Sequence, residues 1–78
     1  MNILTAVLSD RITVQSSNLR SVGYDPWSGT LTIEFHSGKI YEYVDVPLAV
    51  YAGLMDAQSH GRFFAIFIRK AYAFRRLQ

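Results

Sequence analysis

The 78-residue chain contains no cysteine. That excludes a disulfide framework and any thiolate metal site, and it fits a reducing, cytoplasmic location. Its two histidines, His36 and His60, have no partners at metal-ligand spacing. There is no G-x-x-x-x-G-K loop and no G-x-G-x-x-G turn, so the common backbone cradles for phosphate are missing. Ser16 and Ser17 lack an adjacent base. Asp25, Asp45 and Asp56 fall at a turn and at expected helix ends, where a short carboxylate serves local hydrogen bonding. Catalysis needs several groups in mutual reach, and no such set is legible, so the expectation is a protein that is not an enzyme and carries no cofactor. No apolar run reaches the length of a membrane span. The N-terminal run from Ile3 to Leu8 has no positive charge before it and is too short for a signal peptide.

Acidic residues are also missing from one end. Up to Ala57 there are three basic residues against six acids; from Gln58 onward there are five basic residues and no acid. Such an asymmetry marks an electrostatic footprint for phosphate or another acidic partner, although a solubilising face explains a charge run as well. What the chain does have is apolar mass. Half of its residues are hydrophobic and 14% are aromatic, which argues against disorder. A chain this short makes one domain and buries only about 60–65% of its unfolded surface. The apolar excess therefore predicts a homo-oligomer.

Periodicity places the elements. Arg11 to Gln15 can form a short strand. Leu19 to Tyr24 reads as a strand with Leu19, Ser21 and Gly23 on one face and Arg20, Val22 and Tyr24 on the other. Asp25-Pro26-Trp27-Ser28-Gly29 is a turn with positive φ available at Gly29; Trp27 at its tip either folds back on the sheet or makes a contact. Thr30 to His36 is the clearest strand, with Leu31, Ile33 and Phe35 facing one way. Ser37-Gly38 then reverses the chain into Lys39–Val44. A two-residue type I′ loop would need positive φ at Ser37, so a three-residue loop with the left-handed residue at Gly38 is favoured. That register sets Ile33 opposite Tyr41 and Leu31 opposite Tyr43, with both tyrosines on the apolar face and their hydroxyls reaching its rim. Pro47 suits the first position of a helix that runs to Asp56. Ser59 is the best N-cap for a last helix, with its hydroxyl accepting from the Arg62 N–H, and that helix is expected to reach about Tyr72. The resulting fold class is α+β: a small antiparallel meander of three to four strands, followed by two helices packed on one face.

The series Ser16-Ser17-Asn18-Leu19, Val22-Gly23-Tyr24-Asp25, Leu31-Thr32-Ile33-Glu34-Phe35, Ser37-Gly38, Tyr41-Glu42-Tyr43, Val46-Pro47, Val50-Tyr51, Leu54, Ala57, Ser59, Gly61, Phe63-Phe64, Ile68-Arg69, Tyr72 and Arg75-Arg76 resembles the KTSC domain. The ordered series with Y-x-Y at its centre carries the likeness, over about residues 14–77, leaving 1–13 as an N-terminal extension. The family is named for its occurrence at the C-terminus of some lysyl-tRNA synthetases, and it also occurs as small standalone bacterial and phage proteins. The resemblance implies RNA binding as a suggested role and no defined catalytic activity. The chain departs from the pattern at Ala65-Ile66-Phe67 and at Trp27, where the family usually has polar residues.

These readings select candidate residues. Arg69, Arg75 and Arg76 can hold phosphate bidentately, and Tyr72 and Phe74 interleave with them. A solvated helix end is the plain alternative. Tyr41 and Tyr43 can stack bases or simply cover the sheet beneath the helices. Ser17, Asn18 and Ser59 can add hydrogen bonds at the rim, against ordinary turn and capping roles. In the run from Phe63 to Ile68, the face Phe64, Phe67, Ile68 and Ala71 can pack on the sheet. Phe63 and Ile66 then point elsewhere, and a helix apolar all round is normally buried all round. Phe63, Ile66 and Phe67, with Ile3, Leu4 and Leu8, are thus the expected oligomer interface. The leading expectation is a non-catalytic binding domain for a phosphate-bearing ligand, RNA first. The alternative is an oligomeric pocket for a small nucleotide signal, such as a phage sponge. A protein–protein adaptor is third.

Overall fold

The computed structural model describes residues 11–78. Five strands form one antiparallel sheet in chain order: β1 (Ile12–Thr13), β2 (Leu19–Asp25), β3 (Thr30–Phe35), β4 (Ile40–Tyr43) and β5 (Phe74–Arg76). Helices α1 (Leu48–Asp56) and α2 (His60–Phe67) lie between β4 and β5 in sequence. The core forms where one sheet face meets these helices: Leu19, Val22, Leu31, Ile33 and Tyr43 from the sheet, Leu54 from α1, Phe64 from α2, and Val14, Val46 and Ile68 beside them. Ile3, Leu4 and Leu8 lie outside the described residues. This is the α+β fold that the periodicity predicts, with one strand more than expected.

The alternation in β2 is broken by a bulge. Leu19 opposes Phe35, but the register then shifts and Ser21 opposes Glu34. Strict alternation separates Leu19 from Val22; the extra residue, Arg20, lets both enter the core while Arg20 stays exposed. The β3–β4 hairpin has the expected register, with Ile33 opposite Tyr41 and Leu31 opposite Tyr43. Its loop closes by the Gly38 N–H donating to the Phe35 carbonyl at 2.9 Å, and Gly38 takes φ 95°.

The Asp25–Gly29 turn is held by the Asp25 carboxylate, which accepts from the Trp27 N–H and the Ser28 hydroxyl, both at 2.9 Å. Trp27 does not fold back: its side chain is 72% exposed. Gly29 sits at φ 73°, and its carbonyl accepts from the Val46 N–H at 2.9 Å. The turn is thereby tied to the start of α1. Pro47 is the N-cap residue of α1 and not its first helical position. Its ψ of 149° is extended, and its carbonyl accepts the first helical bond, from Val50 N–H at 3.0 Å. Tyr51 of α1 stacks on Tyr24 with centroids 4.6 Å apart, and the Tyr24 hydroxyl donates to the Val46 carbonyl at 2.6 Å.

The last helix is shorter than expected. Ser59 caps it as predicted, accepting from the Arg62 N–H at 3.2 Å. It stops at Phe67: the Ile68 N–H makes the last regular helical bond to the Phe64 carbonyl, and the Arg69 N–H reaches back to the same carbonyl across a wider turn, both at 3.0 Å. Residues 74–76 then pair with β4 as a strand. Pairing satisfies the backbone groups of β4's free edge, which a longer helix would leave open. The early stop also narrows the buried stripe to Phe64 and Ile68. Phe67 is 54% exposed and rests on Phe63 at 4.8 Å instead of on the sheet.

A Cβ added at Gly29 would stand 3.3 Å from the Val46 carbonyl oxygen, in a left-handed conformation that side chains disfavour. Gly29→Ala is expected to lower stability by about 1–2 kcal/mol, measured by urea unfolding. An unchanged midpoint would contradict the tie between turn and helix.

Candidate functional site

Pairing decides which side chains meet. Directly opposed residues in a sheet share a face, so Tyr41, Tyr43, Phe74 and Arg76 lie on the same side as Leu31 and Ile33. The helices cover the middle of that side, and a cleft of about 350 Å³ opens beside α2. Its aromatic walls are Phe35, Tyr41, Tyr43, Phe64 and Phe74; Asn18, Ser37, Lys39 and Arg69 complete the lining. The rings are interlocked. Phe64 meets Phe35 and Tyr43 edge-on, each at 5.5 Å, and Tyr41 stacks on Phe74 at 5.3 Å with planes 8° apart. Phe74 remains 55% exposed, so a ring surface stays open to solvent.

Among the described residues, two cations and no carboxylate line this cleft. Asn18 is held in place from several directions. Ser16 Oγ accepts from the backbone N–H groups of Asn18 and Leu19 at 3.2 and 3.1 Å, and the Asn18 carbonyl accepts from the His36 N–H at 3.0 Å. The His36 imidazole donates from Nε2 to the Ser16 carbonyl at 2.8 Å, and His60 donates from Nδ1 to the Leu54 carbonyl at 2.8 Å. A carbonyl can only accept, so each of those nitrogens carries a proton and both histidines have structural work. Among the described residues there is no group of three or more His, Asp or Glu that could hold a metal ion, and no helix is long and apolar enough to cross a membrane.

Of the residues that the sequence singles out, Asn18, Tyr41, Tyr43 and Arg69 come together in the cleft. Arg76 shares the face of Tyr41, with its Nε donating to the Gln78 carbonyl at 3.2 Å. Arg75 does not join them. It alternates to the opposite face, where its Nε meets Glu42 Oε1 at 2.7 Å. Tyr72 packs partly buried against the core, Ser59 is spent as a helix cap, and Ser17 lies exposed in the bend before β2. Sequence reasoning missed Phe35, Ser37, Lys39, Phe64 and Phe74 as cleft residues. A period of two in Phe74-Arg75-Arg76, read as a strand, was the available signal for Phe74.

Comparison with known proteins fits this architecture. Residues 15–72 match the family model described as the KTSC domain. The chain belongs to the KTSC domain family. It is 50% identical over 54 residues to an uncharacterized protein of Stutzerimonas stutzeri, an alignment covering 69% of this chain and 76% of that one. It is 41% identical over 63 residues to part of a lysine–tRNA ligase of Nostoc sp., covering 81% of this chain but 11% of the ligase. The crystal structure of a KTSC domain protein from Yersinia pestis superposes with a TM-score of 0.86 at 36% identity, covering 88% of this chain and 97% of that one.

Within this KTSC domain the Tyr43 phenol is the group most altered by its surroundings. Burial first, and the neighbouring Tyr41 second, push its pKa up to about 12 against the pull of the Arg69 guanidinium. Burial also raises Tyr24, with Asp25 adding to it. A phenol of ordinary pKa near 10 in the unfolded chain loses its proton there first. Tyr43 therefore contributes stability that is present below about pH 10 and is lost as pH rises through about 12. Tyr43→Phe is expected to flatten the decline of stability between those values, followed by denaturant unfolding at stepped pH. An equally steep decline in the variant would contradict this assignment.

Proposed function

We propose that this KTSC domain is a non-catalytic RNA-binding domain that takes a nucleotide into the aromatic cleft. One observation carries the reading: five aromatic rings share a cleft with Lys39 and Arg69, and no acid among the described residues lines it. Base stacking on aromatic rings contributes about 1–3 kcal/mol per base and tolerates any sequence. The open surface of Phe74, stacked on Tyr41, suits that contact. Arg69 supplies a planar fork for phosphate, and Lys39 a mobile point charge. The KTSC-like segment in a lysine–tRNA ligase is compatible with RNA as the ligand class. A small free nucleotide is the second reading, favoured by a cleft volume that suits a single nucleotide. A cytoplasmic site of action belongs to either reading.

The domain is further proposed to act as a homo-oligomer through Phe63, Ile66 and Phe67. Ile66 and Phe67 are 60% and 54% exposed on one side of α2. They border a shallow groove completed by Phe63, Ala57, Gln58, Ser59 and Arg62. A second copy of the same helix offers a matching apolar surface.

Two outcomes are expected. Affinity for single-stranded RNA falls steeply with salt. Lys39→Ala with Arg69→Ala weakens it about tenfold or more and flattens the salt slope, while Arg75→Ala changes little, as fluorescence anisotropy would report. Salt-independent binding, or an equal loss from Arg75→Ala, would contradict the placement. Light scattering is expected to show a dimer or larger assembly that Ile66→Glu with Phe67→Glu converts to monomer; a monomeric parent protein would contradict the interface.

A further inference from the structure

The Tyr43 side chain stands apart in the cleft. The residue is only 2% exposed, yet its hydroxyl makes no hydrogen bond among the described residues. Tyr43 lines the cleft, and no fully sealed side-chain polar atom among the described residues lacks a partner. An accessible hydroxyl on a buried ring is satisfied by water in the free protein and is available to a ligand. Tyr24 shows the ordinary solution, since its hydroxyl donates to the Val46 carbonyl at 2.6 Å. Tyr43 has no such neighbour, and the nearby charge is the Arg69 guanidinium, which can only donate. The phenol O–H and the guanidinium N–H groups can both donate into this space, and an anionic oxygen there accepts from both.

We infer that Tyr43 and Arg69 together form a phosphate subsite at the floor of the cleft, and that it selects a terminal phosphate over an internal one. This rests on the proposed nucleotide-binding reading and sharpens it. Charge and the number of free oxygens favour a terminal phosphate. Tyr43 is buried, with the Phe74 and Tyr41 rings beside it at 5.5 and 6.3 Å. An internal phosphodiester carries chain on both sides, whereas a monoester presents three free oxygens. The monoester also carries about −1.5 to −2 charges at neutral pH, which strengthens its attraction to Arg69. The phenol, held protonated up to about pH 12, is a donor throughout the physiological range. The same chemistry is offered by the phosphorylated end of an RNA and by a free mononucleotide.

The test uses one short oligouridylate carrying a 5′ phosphate, a 3′ phosphate or neither, together with uridine 5′-monophosphate, titrated into the full chain. Tyr43→Phe removes one oxygen and keeps the ring; a thermal melt checks that it folds. The parent protein is expected to bind one phosphorylated end about tenfold more tightly than the unphosphorylated strand, a difference typical of one charge-assisted hydrogen bond. Tyr43→Phe should lose that preference, binding the phosphorylated and unphosphorylated strands with equal affinity. Binding of the mononucleotide alone, with the same loss in the variant, supports the subsite and assigns it to the free nucleotide. Strand binding without end preference, or a preference that survives in Tyr43→Phe, overturns the subsite and leaves the RNA reading standing. Failure of all four probes to bind overturns both.

Discussion

The packing of Phe64 is the contact on which the rest of this fold depends. Its ring meets Phe35 and Tyr43 edge-on at 5.5 Å each, joining α2 to two adjacent strands. Such pairs gain from ring electrostatics as well as from burial. The same residue also ends its helix, since its carbonyl takes both the Ile68 and Arg69 N–H groups. The chain then turns, and its remaining residues return as β5 along the open edge of β4. Ile68 is fully buried at the turn and fixes where Arg69 emerges. One aromatic residue thus sets the end of α2, the start of β5 and one wall of the cleft between them.

That return divides the basic C-terminus by a rule of period two. Phe74 and Arg76 fall on the face of Tyr43 and Tyr41, and Arg75 falls on the other with Glu42. A helix would have spread the same residues around a cylinder. The exposed Arg75–Glu42 pair adds little to stability, but it removes one arginine from the site. Lys39, read in sequence as the start of the strand after the hairpin loop, takes a place in the cleft; its carbonyl accepts from the Phe35 N–H at 2.9 Å. The positive character of the cleft therefore comes from residues thirty apart in sequence and not from the terminal cluster alone.

Much of this was legible from residue order. The three-residue loop at Ser37-Gly38 followed from the poor fit of serine to positive φ, and it placed Tyr41 and Tyr43 on the core face correctly. The Ser59 cap followed from hydroxyl chemistry, and the α+β class from the switch of period. Three features were not legible. The bulge at Arg20 breaks an alternation that only pairing with β3 can reveal. The end of α2 depends on a free strand edge formed far away in sequence; helical spacing through Tyr72 gave no hint of it. Phe67 was placed on the sheet because the helix was read as one turn too long. Each miss is a case of tertiary pairing overriding a local pattern. The apolar segment from Ile3 to Leu8 lies outside the described residues, so its expected part in assembly rests on sequence alone.

β5 pairing builds the aromatic cleft that we propose as the ligand site, and it sorts the arginines around it. Amide NMR shifts during titration with a short single-stranded RNA test this most directly. The account predicts that perturbations concentrate at Asn18, Lys39, Tyr41, Tyr43, Arg69 and Phe74, with Ser21, Thr32 and Glu34 on the opposite face left unchanged. Perturbations centred on Arg75, Glu42 and Thr32, with the cleft residues silent, would contradict it.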